Sequence, residues 1–325
     1  MRLIETSSSV PLASVKPLDR LVAYRAHCLE ATRRALHTAG GGRRRRDRSP
    51  ITGACLEPAG CVEEFEYGRC TETGSLFLMD VPARAGWAAL LAEVSGLRHS
   101  PEAFHLSLSQ SREDHVYRPK VEWIQDTLRL QGIRRPQILE VVTPPSDLTT
   151  LLESSEAIAG VTTVDEMALA GGQQAGAARG RVQAAVLLES LDRVDDPAAL
   201  VSRVVERLED GGVMFVTALV ASGFDMTVLG LKNLYLYPPD RANCFTLAGL
   251  TRLLQSAGLT LLEVSTPGSL DLEIVRAHVH QDRSLPLGPF ERQILDADAQ
   301  THEAFQAFLQ QRGLSSFARL VARKE

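Results

Sequence analysis

The chain has 325 residues, room for about two ordinary domains of roughly 150 residues each, which excludes a small stapled scaffold. Hydrophobic residues at 44% and charged residues at 23% are the proportions of a globular protein, and 35 Lys+Arg against 40 Asp+Glu give a formal net charge of −5, so no global field draws the chain to nucleic acid or anionic lipid. Five cysteines, at positions 28, 55, 61, 70 and 244, are too few and too irregular for a secreted disulfide framework, and no run approaches the ~18 apolar residues of a membrane span or the apolar core of a signal peptide. The expectation is a cytoplasmic protein with reduced thiols.

Residues 1–16 read as a loose tail. After Pro17, Leu18, Leu21, Val22, Cys28, Leu29 and Leu36 make one helical stripe, closed by Gly40-Gly41-Gly42. Arg43-Arg44-Arg45-Arg46-Asp47-Arg48 has two readings, a nucleic-acid or phosphate patch and a solvated linker. Glycine-flanked on an acidic protein, and with no aromatic residues interleaved, it reads as the linker that ends a first segment, 1–48. Residues 49–85 change to short, turn-rich pieces in which Glu64-Phe65-Glu66-Tyr67 and Ser75-Leu76-Phe77-Leu78 form a small β-hairpin module. Residues 86–110 are weakly helical, and Asp114 to Gly132, with Pro119, Val121, Ile124 and Leu128, is a helix with conventional ends.

From Gln137 onward strand and helix alternate. Gln137 to Val142 is a strand, Asp147 to Glu153 a helix, Ala157 to Thr162 a strand and Asp165 to Ala170 a short helix; a Gly/Ala/Gln-rich loop at 171–180 leads to the strand Val182 to Leu188. Pro197 to Leu208 is an amphipathic helix, Val213 to Ala218 a strand and Leu247 to Ala257 a helix, with strands after it near Leu259 to Val264 and Leu272 to Ala277. This alternation predicts an α/β fold, a mainly parallel sheet with helices on both faces, over 86–285. Residues 286–325 are expected to be a C-terminal helical segment with Phe305, Phe308 and Leu309 on its apolar face. In such a sheet the ligand crevice lies at the carboxyl ends of the strands, so chemistry belongs in the turns after Val142, Thr162 and Leu188.

Several stretches carry a resemblance. Ile138-Leu139-Glu140-Val141 precedes the first turn, Leu191-Asp192-Arg193-Val194-Asp195-Asp196-Pro197 stands near Leu-Glu-His-Val-x-Asp-Pro, and Leu208-Glu209-Asp210-Gly211-Gly212 precedes the next strand. Pro238-Pro239-Asp240-Arg241-Ala242-Asn243-Cys244-Phe245-Thr246 is similar to Pro-Pro-x-His-x-Asn-Phe-Phe-Ser, and Thr266-Pro267-Gly268-Ser269-Leu270-Asp271 to a further turn. Together they resemble the class I S-adenosylmethionine-dependent methyltransferases with an N-terminal zinc ribbon, from about residue 49 onward. The resemblance implies a Rossmann-like sheet plus a small zinc-ribbon-like hairpin, and places the cofactor at positions equivalent to Glu140, Val142, Thr143, Pro144, Ser146, Thr162 and Glu189.

The chain also departs from that family. The family's first turn is Gly-x-Gly-x-Gly, because the backbone passes close to the cofactor; here it reads Val142-Thr143-Pro144-Pro145-Ser146, with two prolines that donate no N–H and a β-branched side chain. Ser146 can still cap the next helix. The acid that accepts the ribose hydroxyls in the family is replaced at Val161-Thr162, and only about twenty residues separate Val161 from Val182, so a third strand is expected to be missing or stunted. The zinc knuckles align with Ser49 and Thr52 and with Cys70, one ligand of the four that structural zinc requires, so no zinc is expected; a rescue through Cys55, Cys61 and Cys70 matches no knuckle spacing. Both family histidines align with arginines, Arg193 and Arg241, which read either as an anion site or as solvated loop ends, the latter favoured. His278-x-His280 reads as a solvated strand end.

The resulting expectation is a methyltransferase-like pseudoenzyme that binds S-adenosylmethionine weakly or not at all and acts as a binding or scaffold partner, for example of a related active methyltransferase, with no nucleic acid and no membrane. The alternative is an active methyltransferase acting on a small hydroxylated metabolite or sugar.

Overall fold

The computed structural model describes residue 12 and residues 18–37, 42–98, 109–142, 146–172 and 180–325. In chain order, α1 (Leu18–His37) is followed by β1 (Arg43–Arg45), β2 (Leu56–Val62), β3 (Phe65–Cys70), β4 (Leu76–Leu78), β5 (Asp80–Pro82) and α2 (Arg84–Arg98). One helical turn at Ser109–Arg112 and a π-turn at Glu113–Tyr117 lead into α3 (Arg118–Leu130). Then come β6 (Gln137–Val141), α4 (Asp147–Glu153), β7 (Gly160–Val164), α5 (Glu166–Ala170), β8 (Val182–Leu188), α6 (Pro197–Arg207) and β9 (Leu208–Leu219). The remainder is α7 (Phe224–Leu229), β10 (Asn243–Cys244), α8 (Leu247–Ser256), β11 (Leu259–Ser265), α9 (Asp271–Gln281), α10 (Pro289–Leu295), α11 (Ala299–Gln311) and β12 (Phe317–Lys324).

The principal sheet has the order β11-β12-β9-β8-β6-β7, with β7, β6, β8 and β9 parallel and β12 antiparallel to both of its neighbours. Side chains alternate across it because a strand has a period of two. Ile138, Ala184, Val186, Phe215 and Val321 point to one face, where α3 lays Val121, Trp123, Ile124 and Leu128 against them. Leu139, Ala185, Leu187, Met214, Val216 and Leu320 point to the other, under Leu200, Val201 and Val204 of α6 and Leu250, Leu253 and Leu254 of α8. The helices are placed by local chemistry as well. Asp196 caps α6 at Ala199 N with Pro197 next in line, and Thr246 caps α8 at Gly249 N. From β6 the chain steps to β7 on one side and then crosses to β8 on the other, so the topological switch point lies between the carboxyl ends of β6 and β8. At its other edge the described sheet ends with β7.

The hairpin module is a four-stranded antiparallel sheet, β10-β4-β3-β2. Phe65, Tyr67, Leu76 and Phe77 are buried in it, and Phe77 meets Phe245 edge to face at 5.9 Å. Its fourth strand comes from Asn243–Cys244, far along the chain, so the module extends beyond 49–85 and is stitched to the larger domain.

Three expectations are corrected. The segment 286–325 is not wholly helical: β12 fills the sheet between β9 and β11, so the α/β domain runs to Lys324 and its boundary at 285 dissolves. Basic residues disguise this strand; the Arg319 guanidinium lies 5.2 Å from the Trp123 ring, and Lys324 Nζ donates to Val205 O and Leu208 O. Leu272 to Ala277, expected as a strand, belongs to helix α9, because Ile274, Val275 and His278 bury one helical face and Asp271 is anchored by Ser315, Gln306 and the Ser316 N–H. The basic run is no linker. Arg43–Arg45 pairs with β5, Arg43 and Arg45 bond Asp80, and Arg46 is buried.

Candidate functional site

The carboxyl end of β8 passes into Glu189, a non-glycine residue at φ 62°, whose N–H donates to Thr217 O on β9. Its carboxylate is clamped: Oε2 accepts from Arg241 Nη2 at 2.7 Å, and Oε1 lies 3.7 Å from Lys120 Nζ. The same guanidinium reaches Asp192, with Nε 3.4 Å from Oδ2, and that oxygen also accepts from the Leu219 N–H. Burial alone would lower the Arg241 pKa, but Glu189, Asp192 and Asp240 outweigh it and hold the guanidinium above its ordinary value. Burial pushes Asp192 up to about 8 against the pull of Arg241. Arg241 is fixed from behind as well, its carbonyl accepting from Tyr67 OH of the hairpin sheet at 2.9 Å.

Lys120 stands in the first turn of α3, buried, with its ammonium 6.0 Å from the Tyr117 ring centre and 5.5 Å from that of Phe317. Burial, aided by Arg112, Arg319 and Arg241 and opposed by Glu189, lowers it to about 8. Sequence reasoning missed this residue. The signal was there: Lys120 sits beside Val121 and four before Ile124, a charge set into an apolar helical stripe.

The expected site residues are only partly gathered here. Glu140 is buried at the end of β6, yet its oxygens accept from Ser146 Oγ at 2.6 Å and Thr149 Oγ1 at 2.5 Å; burial raises its pKa and those hydroxyls oppose the rise. Ser146 caps α4 by accepting from Thr149 N. Val142 is half-buried and donates its N–H to Val164 O. Thr143 and Pro144, with Pro145, lie outside the described residues. Thr162 is corrected: it pairs with Leu139 in the middle of β7, which continues to Val164. The acid at the end of that strand is Asp165, whose Oδ1 accepts from Met167 N and Ala168 N as the cap of α5. Periodicity alone misplaced the strand end by two residues.

Arg193 and Arg241 are not solvated loop ends. Arg193 is buried and Arg241 largely covered, both beside carboxylates: Arg193 Nε lies 3.6 Å from Glu166 Oε1 and donates to Glu189 O, while Trp87 Nε1 donates to Arg193 O. Internal carboxylates reach both guanidiniums, which therefore form no open anion site. His278 is buried on α9 rather than solvated on a strand; Nε2 accepts from Leu234 N, Nδ1 faces Ile274 O at 2.7 Å, and burial lowers its pKa.

At the knuckle positions, Thr52 Oγ1 lies 3.6 Å from Cys70 Sγ, with the Thr73 and Ser49 hydroxyls also beside that sulfur. Burial would raise the thiol, but these bonds outweigh it and lower Cys70 to about 7. Cys55 and Cys61 are exposed, and among the described residues no three His, Cys, Asp or Glu side chains gather as metal ligands. Nor is any described helix long and apolar enough to cross a membrane.

A family model described as a methyltransferase domain matches residues 78–264, more than half of the chain. The chain belongs to this methyltransferase family. Solved structures similar to it include an S-adenosylmethionine-dependent methyltransferase from Clostridium acetobutylicum (10% identity, 68% of this chain and 96% of that one, TM-score 0.40). Another is an S-adenosylmethionine-dependent methyltransferase from Thermotoga maritima (14% identity, 68% and 96%, TM-score 0.39), and a third is a plantazolicin methyltransferase (14% identity, 74% and 97%, TM-score 0.40). No curated protein matches the sequence. The methyltransferase match opens at Leu78, the last residue of β4, and closes at Val264 in β11, so most of the hairpin sheet and all of β12 lie outside it. Within it fall Lys120, Glu189, Asp192 and Arg241, the ion-paired cluster at the carboxyl end of β8.

Proposed function

We propose that this methyltransferase-family chain is a non-catalytic member, a pseudoenzyme whose fold serves as a binding or scaffold partner, for example of a related active methyltransferase. One observation carries the reading: the carboxyl end of β8 carries an ion-paired cluster of the chain's own side chains, Lys120, Glu189, Arg241 and Asp192. A methyl donor of this class brings a sulfonium cation, and two buried cations already stand there. Among the described residues, Glu140 is bonded to Ser146 and Thr149, Asp165 to the α5 N–H groups and Glu189 to Arg241. These residues do not fit the cofactor, and no methyl-transfer step is derived through it. The arginines at 193 and 241 also stay protonated at neutral pH, so neither acts as a general base where a histidine would.

The test is calorimetric titration of the purified chain with S-adenosylmethionine and with its demethylated product. Silence at millimolar ligand is the expected result. Micromolar binding of either compound overturns the proposal and favours an active methyltransferase acting on a small hydroxylated metabolite or sugar.

A further inference from the structure

The basic run takes no part in that crevice. Between β1 and the start of α6 lies an open concavity of about 400 Å³, lined among others by Arg44, Arg45, Arg46, Arg48, Asp195 and Asp196. That volume is within the ~300–1,000 Å³ usual for small-molecule sites. Its floor is Arg46, a buried guanidinium whose hydrogen bonds go to uncharged oxygens, Asn243 Oδ1 at 3.0 Å and the Asp195 carbonyl at 2.5 Å. Burial, with the neighbouring Arg44 adding to it, lowers Arg46 to about 10, while Asp195 and Asp196 only partly compensate. The rim holds two further guanidiniums with weak internal claims. Arg44 comes no closer than 3.9 Å to Asp195 Oδ2, and Arg48 Nη1 donates to the Gly53 carbonyl.

The carboxylates in the wall do not cancel this charge. Asp196 is committed to capping α6 at Ala199 N, and Asp47 is largely exposed beside Arg45. Asp195 is different: its side chain is only 7% exposed, and Oδ1 is buried without a hydrogen-bond partner. A buried acceptor left unpaired calls for a donor. The concavity thus offers guanidinium forks, which match phosphate oxygens, next to one acceptor that matches a hydroxyl. The first turn of the eleven-residue α6 opens beside it and adds a favourable partial charge for an anion.

We propose that this concavity binds a hydroxyl-bearing phosphate monoester of sugar-phosphate type, its phosphate held by Arg44 and Arg48 over Arg46 and a ligand hydroxyl donating to Asp195. The site is separate from the crevice and stands whether or not the crevice binds a methyl donor. Arg44 and Arg48 are exposed, so their replacement leaves the core intact.

The experiment is calorimetry on the full chain at fixed ionic strength with glucose 6-phosphate, glucose, inorganic phosphate and phosphoserine as probes. Glucose 6-phosphate is expected to bind tightest, glucose not at all, and the Arg44→Gln/Arg48→Gln variant to lose at least tenfold in affinity while its circular dichroism and melting temperature stay those of the parent. No heat with glucose 6-phosphate at 10 mM, or equal affinity in the double variant, overturns the site. Inorganic phosphate or phosphoserine binding as tightly as the sugar phosphate overturns the hydroxyl assignment to Asp195.

Discussion

Asp225 and Asp271 form a buried carboxyl pair where α7 and α9 meet the turn into β12. Asp225 Oδ2 accepts from Asn233 Nδ2 at 2.9 Å while Oδ1 has no partner; Asp271 accepts from the Ser316 N–H, Ser315 Oγ and Gln306 Nε2. Burial, with Asp271 nearby, pushes Asp225 up from 3.8 to about 7, and burial raises Asp271 as well. A carboxyl whose folded pKa lies above its unfolded value favours the folded state in its protonated form. Its contribution is therefore intact below about pH 4 and is lost as pH rises to about 7, at ~1.4 kcal/mol per pH unit. The gap between the two values makes this a loss on the order of a few kcal/mol, a large share of the ~5–15 kcal/mol that holds a typical domain folded. Asp225→Asn keeps an acceptor for Asn233 and cannot ionise. Urea unfolding from pH 4 to pH 9 should show the variant close to the parent at pH 4–5 and more stable by about 2–4 kcal/mol at pH 8. A difference that stays flat with pH, or a variant relatively weaker at pH 8 than at pH 5, would refute the raised-carboxyl account.

The crevice network predicts a different pH dependence: Arg241→Met should lower the melting temperature more at pH 9 than at pH 6, because Asp192, at about 8, ionises only toward the alkaline end and then lacks its guanidinium. Adding Asp192→Asn should remove that difference in a thermal melt series. At the knuckles, the parent is expected to carry no stoichiometric zinc by elemental analysis and to melt unchanged in chelator. The Ser49→Cys/Thr52→Cys/Thr73→Cys variant should take up about one zinc per chain, since those three side chains already surround Cys70. Gly223→Ala should destabilise by roughly 2–4 kcal/mol in urea melts, because a Cβ there would stand 2.2 Å from the Ser316 backbone Cα, where nothing yields without moving β12.

The sequence by itself determined the alternation that became the parallel strands β6 to β9, the capping of α4 by Ser146, and the hairpin with its buried aromatic residues. These depend on period and nearest neighbours, and both are written locally. It also identified Glu140 and Glu189 as standing at strand ends. What it could not decide is what those groups touch. Glu189 meets Lys120 and Arg241, 69 residues before it and 52 after it, and only the closing of the sheet brings the three together. Arg46 looked solvated because a basic run normally is; it is buried because Asn243 and the Asp195 carbonyl arrive from remote parts of the chain to accept its hydrogen bonds. Arg319 and Lys324 hid β12 in the same way, their charges met by an indole ring and by two carbonyls. Polar groups enter a core when a partner cancels the cost of leaving water, and the partner's position is a property of the tertiary structure alone.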